Sequence, residues 1–189
     1  MNIVQVPHPR LREKTKPVEK IDAQLMQFLH DIAATLEQKR NPRGVGLSAP
    51  QVDVHYSAFV TYLPNDDAPE EKPILRTFIN PQIVKTSVQK TFGEDPKQPI
   101  LEGCLSIQHL YGPVPRFEWV EIEYQVVSYD KLESKKERFD SFAARVMQHE
   151  YDHLQGILFT DYILKFELPL YDDRKGKLRE ISSTIAESF

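Results

Sequence analysis

The chain has 189 residues, of which 40% are hydrophobic and 28% charged, with a formal net charge of −4. That length fits one domain, 1–189, able to bury roughly 70% of its unfolded surface. The mildly acidic balance excludes the electrostatic footprint of a nucleic-acid binder and the polybasic patch of a membrane-surface protein.

The start, "MNIVQVPHPRLREKTKP", is extended and proline-punctuated and lacks the apolar core of a secretory signal. "IDAQLMQFLHDIAATLEQKR" predicts an amphipathic helix with Asp22 as N-cap, because Leu25, Phe28, Leu29, Ile32 and Leu36 recur at helical spacing. His30 lies on the flank of that stripe, a structural position rather than a ligand's. Pro42 is expected to end the helix, and "RGVGLSAPQ" to follow as a glycine-containing turn. Short strands are expected from Ser57 to Thr86 around an exposed acidic loop, "LPNDDAPEEKP", and 87–99 reads as a second polar excursion. In "WVEIEYQVV", Val120, Ile122, Tyr124 and Val126 alternate with polar residues and predict a strand. A turn at "DKLES" then leads to a return strand near Lys136–Phe139.

Asp140 or Ser141 is expected to cap a second helix of about Ser141 to Leu154, which Gly156 ends. "ILFTDYILKF" reads as a strand or turn, and the tail from Leu170 to Phe189 as a short, partly exposed helix. The predicted fold is α+β: antiparallel β-strands surround a central metal-bearing α-helix, with N-terminal and C-terminal helices. No run approaches the about 18 apolar residues of a membrane span. The one cysteine, Cys104, allows no internal disulfide, which fits a reducing compartment, and the expected location is the cytoplasm.

The second helix carries "QHEYDHLQG" (148–156), with two histidines four apart on one helix face. His149 and His153 could therefore hold one metal ion, with Glu150 beside it as general base for a bound water. Two imidazoles leave a third ligand to find. One protease branch extends the motif to a further histidine, but that position is Phe159. Another branch needs a downstream glutamate on a helix; Glu167 is nearest, and Pro169 follows closely. Upstream, "LEGCLSI" offers Cys104. A sole cysteine is usually a small buried hydrophobe, yet a thiolate with two imidazoles suits a borderline divalent metal and leaves a fourth position for water. Gly103 would let the backbone approach such an ion.

Three motifs in order, "GVGLSAPQ" (44–51), "EGCLS" (102–106) and "QHEYDHLQG", resemble the signature motifs of the peptide deformylase family. The likeness runs over most of the chain, through "HPRLREKTKPV", "FINPQIV", "VPR" and "GILFTDYI", and fades in about the last 25 residues. It implies that Cys104, His149 and His153 are metal ligands and Glu150 the general base. It implies that Gln51 and the Leu105 N–H stabilise the oxyanion, in hydrolysis of the N-formyl group from nascent formylmethionyl peptides. The implied metal is one divalent ion, iron(II) in the cell, with zinc, nickel or cobalt able to replace it. The implied partners are nascent peptides near the ribosome, and the expected state is a monomer or weak homodimer.

Phe142 and Val146, with Val45 and Gly46 opposite, are candidates for an apolar substrate pocket; the same two helix residues also suit a plain core. Gly44 and Gly46 would let the first motif pass close to a peptide. Arg116 is expected to pair with Glu102. The chain departs from many family members in having Ser48 for alanine, "QHLYGP" after "EGCLSI", a longer 87–99 segment, and Arg145 for an aliphatic residue, which predicts a polar pocket rim. His109, on a loop beyond Cys104, is not needed as a ligand. A zinc endopeptidase and a non-catalytic binding member are the competing readings.

Overall fold

Asp22 caps the first helix as its position predicts: its carboxylate accepts the Leu25 N–H at 2.9 Å, and α1 runs from Ala23 to Gln38. Leu25, Phe28, Ile32 and Leu36 are buried in one stripe, while His30 is exposed. The computed structural model describes all residues except 66, 67, 69, 96 and 175. Part of the expected acidic loop thus lies outside the described residues; its Glu70 and Glu71 are exposed.

The expected turn at "RGVGLSAPQ" is instead a short strand, β1 (Gly46–Ser48), followed by a 3-10 turn at Ala49–Val52. Pairing with β2 (Ala58–Leu63), Gly46 opposite Thr61 and Ser48 opposite Phe59, makes it a strand despite its composition. Next come β3 (Ile74–Thr86), β4 (Lys90–Thr91), β5 (Leu101–Cys104), β6 (Ile107–Pro113), β7 (Arg116–Phe117), β8 (Trp119–Ser128) and β9 (Lys131–Asp140). The hairpin between β8 and β9 is tighter than expected. Ser128 pairs with Lys131, so the turn is Tyr129–Asp130, with Tyr129 at φ +56, and all of "DKLES" after Asp130 is already strand. Tyr-Asp carries no glycine or asparagine signal, which is why the turn was hidden.

All named pairings are antiparallel. One sheet has the order β1-β2-β3-β8-β9, and a second has β11-β10-β6-β5. β4 and β7 form a two-stranded ribbon. Between the large sheets lies α2 (Ser141–Leu154), as expected, with Asp140 as N-cap and Gly156 at φ +74 just past its end. Ala144, Met147 and Leu154 on one face of α2 pack against Phe59, Phe78, Ile122 and Phe139 of the first sheet. The other face of α2 carries His153 and His149 to Cys104 and Glu102 of β5 in the second sheet, while Glu150 packs against Gly46 of β1.

Two elements beyond α2 correct the expectation. "ILFTDYILKF" contains a helix, α3 (Phe159–Lys165), not a strand or turn; Asp161 in its first turn accepts the Leu158 N–H at 2.9 Å. Phe159 and Ile163, i and i+4, bury the same side, a period too short to read from seven residues. Most of the tail is instead a hairpin, β10 (Leu170–Asp172) and β11 (Arg179–Ile181), and the expected helix is confined to a short 3-10 helix at Ser183–Ser188. β10 adds to β6, with Tyr171 opposite Tyr111, and Leu170 joins a core of Leu110, Val114, Phe159 and Ile163. Pairing with a strand some 60 residues away decides that segment, and local periodicity cannot report it. Among the described residues no helix is long and apolar enough to cross a membrane.

Candidate metal centre

Cys104 ends β5 and faces α2 across the gap between the sheets. Its Sγ lies 3.3 Å from His153 Nε2, and the donor atoms of Cys104, His149 and His153 all fall within 4.8 Å of one another. A tetrahedral ion with metal–sulfur and metal–nitrogen bonds of ordinary length holds its ligand atoms about 3.5 Å apart, so the cluster has the dimensions of a metal centre. His149 Nδ1 faces Glu102 Oε2 at 3.1 Å, which leaves Nε2 as the nitrogen that could bind an ion. Glu150 Oε2 is buried with no hydrogen-bond partner, a group left waiting for one that a bound water would supply. These residues fit a metal. Glu167 lies beyond α3 and takes no part in the cluster, so the ligand set of the endopeptidase alternative does not form. Phe159 instead stacks against His149, with ring centroids 6.4 Å apart.

Behind the histidine sits one buried carboxylate with many donors. Glu102 Oε1 accepts from Arg116 Nε at 2.9 Å and Arg145 Nη1 at 2.8 Å; Oε2 accepts from Arg116 Nη2 at 2.9 Å and His149. The expected Arg116–Glu102 pair is thus part of a larger network, in which Arg116 also pairs with Asp152. Burial alone would raise the Glu102 pKa, but the Arg116 charge and the His149 bond outweigh it and hold the carboxyl well below the usual carboxylate range. Burial likewise works against a charged His149, yet Cys104 and Glu102 raise its pKa; His153 is driven down, first by burial and then by the His149 charge. Glu150, fully enclosed, is pushed up to about 7 by burial.

Gln51 is oriented by its own turn. Its Oε1 accepts from the Ser48 N–H at 2.8 Å and the Ser48 hydroxyl at 2.9 Å, so Nε2 must point the other way, to Cys104 Sγ at 3.3 Å. Ser48, a departure from many family members, is therefore what fixes the Gln51 amide. Leu105 follows Cys104, with its side chain buried against α1 and its carbonyl accepting from Gln5 Nε2 at 3.0 Å. Gly46 is needed for a reason the sequence did not suggest. A Cβ there would stand 2.3 Å from Glu150 Oε1, so the glycine makes room for the carboxylate itself. At Gly44 the neighbour is the Leu36 side chain, and at Gly103 the Tyr111 ring.

A cavity of about 270 Å³ opens onto the cluster. Val45, Gly46, Phe142 and Val146 all line it, so the structure brings these candidates together. Val146 is buried, whereas Phe142 stands at the mouth with 43% of its surface exposed. The predicted polar rim is not what Arg145 makes: the residue is buried and spent in hydrogen bonds to Glu102, Val114 and Thr91. His109 is no ligand; it pairs with Asp173 at 2.8 Å. Sequence reading missed the roles of Ser48, Arg145 and Asp152; the signal for the last two was a charged residue inside an otherwise buried helix, and Ser48 gave none.

The polypeptide deformylase family model matches residues 1–168. Peptide deformylase 2 of Nostoc sp. is 39% identical over 166 residues, 85% of this chain and 84% of that protein. Peptide deformylase of Pseudothermotoga lettingae is 39% identical over 155 residues, 82% of this chain and 78% of its own length. A solved structure of Acinetobacter baumannii class I type b peptide deformylase with Met-Ala-Ser bound superposes with TM-score 0.71 at 31% identity, covering 86% of this chain and 98% of that one. The Thermotoga maritima peptide deformylase structure gives 0.70 at 30% identity, covering 85% and 95%. An S–N–N centre of this kind, carried on a chain that matches the family model from its first residue to α3, makes this protein a metalloenzyme of the polypeptide deformylase family.

Proposed function

We propose that Cys104, His149 and His153 hold one divalent metal ion and that Glu150, Gln51 and the Leu105 N–H act with it to release formate from formylmethionyl peptides. Removal of the N-formyl group from nascent chains is the activity of the family to which the chain belongs. The observation that carries the residue assignment is the meeting of the three ligands, the unpartnered Glu150 Oε2 and the aimed Gln51 amide at one cavity. When bound, the ion supplies Lewis-acid polarisation of the formyl carbonyl and a water of lowered pKa. Glu150 is placed to accept a proton from the attacking water and would pass it to the departing amine. Gln51 Nε2 and the Leu105 N–H donate to the oxygen on which charge develops. The methionine side chain enters the cavity between Val45 and Gly46 on one wall and Phe142 and Val146 on the other. The likeness to the family suggests iron(II) as the working ion, with zinc, nickel or cobalt as substitutes, although the affinity order of the donor set itself favours zinc over iron. A nascent formylated substrate would be met near the ribosome in the cytoplasm, and the expected state is a monomer or weak homodimer.

The test is formate release from formyl-Met-Ala-Ser by anaerobically purified protein of known metal content. Release without internal cleavage of longer peptides supports the reading, and cleavage inside an unformylated peptide overturns it. Gly46→Ala supplies a finer check. Its Cβ would displace the Glu150 carboxylate, and a misplacement of that order costs about 10²-fold in turnover. Metal content is expected to stay at the wild-type level; turnover above a tenth of wild type would mean that Glu150 tolerates the shift.

A further inference from the structure

Two features have no part in that reaction as described: the 87–100 excursion and Arg145. The structure joins them. Arg145 Nη1 donates to Glu102 Oε1 at 2.8 Å and to the Val114 carbonyl at 2.7 Å, and Nη2 donates to the Thr91 carbonyl at 2.9 Å. Thr91 ends β4, and the chain after it folds back so that the Ile100 N–H donates to the Phe92 carbonyl at 2.7 Å. Gly93, at φ +141, seals the fold-back: a Cβ there would stand 3.0 Å from Ile100 Cγ1. Ile100 and Arg145 both line the cavity at the metal centre, and both also line a neighbouring groove of about 1130 Å³. They form the partition between the two spaces.

The bonds left behind decide what Arg145 does. Without it, Glu102 still accepts from Arg116 on both oxygens and from His149, so the ligand stays oriented. The buried Val114 carbonyl and the half-buried Thr91 carbonyl, in contrast, lose a charged donor. We propose that Arg145 is a positioning residue for substrate capture: it ties Thr91 to the metal-bearing helix and so holds Ile100, bonded to the adjacent Phe92, as a wall of the cavity that receives the substrate's first side chain. This rests on the reading of that cavity as the substrate site.

Arg145→Met, loaded with metal and assayed on formyl-Met-Ala-Ser, is expected to raise KM about five- to tenfold with kcat within about twofold. Metal content should match the wild type, and amide exchange at Ile100 should speed up by about tenfold or more. Ile100→Ala should raise KM alone, and the double variant should be little worse than the worse single one, because both changes act through one wall. Should Arg145→Met not fold, Arg145→Lys carries the test. It keeps the charge beside Glu102 but not the fork, so an intermediate KM with normal kcat supports the proposal. Unchanged KM with unchanged Ile100 exchange overturns it, as does loss of metal together with kcat, which would make Arg145 a prop for His149. If the wild type itself releases no formate, the deformylase reading fails, while Ile100 exchange still reports on the tie.

Discussion

Glu150→Ala is expected to bind metal normally and to lose at least about 10²-fold in turnover of formylmethionyl peptides, the usual cost of removing a general base. The three ligand atoms do not depend on this side chain. Glu150 is packed against Gly46, with one oxygen unpartnered, so its removal takes away a buried polar group that was not fully satisfied. The fold should therefore survive, which a circular dichroism melt checks. Metal analysis and steady-state assay of the same preparation decide the outcome. Near-normal turnover would remove Glu150 from the mechanism, and loss of metal would make it a ligand.

Cys104→Ala has the larger effect on the metal itself. Loss of an outer-shell partner costs about 10–100-fold in affinity, and loss of a ligand must exceed that. The variant is expected to leave a desalting column without stoichiometric metal and without activity, while His149 and His153 remain in place on α2. Full occupancy in Cys104→Ala, measured by elemental analysis, would overturn the ligand assignment. Cys104 is half-buried and packs partly against the core of Leu110 and Phe159, so the alanine leaves only a small gap.

Much of this architecture is legible from local pattern. Asp22 and the Leu25–Leu36 stripe define α1, the alternation of Val120, Ile122 and Tyr124 defines β8, and the histidine pair lies on α2 where its spacing puts it. Cys104 joins that pair because two histidines on a helix demand a third donor, and the chain holds one cysteine. What stays hidden depends on partners far along the chain. α3 has seven residues, fewer than the pattern needs, and β10 is a strand because β6 accepts it. Arg145 and Asp152 look like solvent-facing helix residues until Glu102 and Arg116, 43 and 36 residues away, are brought to them. Periodicity shows which residues are apolar; it is silent on which charges meet.

A carboxylate offers about four lone-pair positions, and Glu102 has four donors on its two oxygens: two from Arg116, one from Arg145 and one from His149. Its coordination is saturated. Although it touches His149, it has no free electron pair to offer an ion, so Cys104, His149 and His153 are the donors left to hold one. The same saturation narrows the choice at position 102 to one amino acid. Glutamine has a single acceptor oxygen and would turn an N–H toward an arginine, and aspartate is one methylene too short to reach all the donors at once.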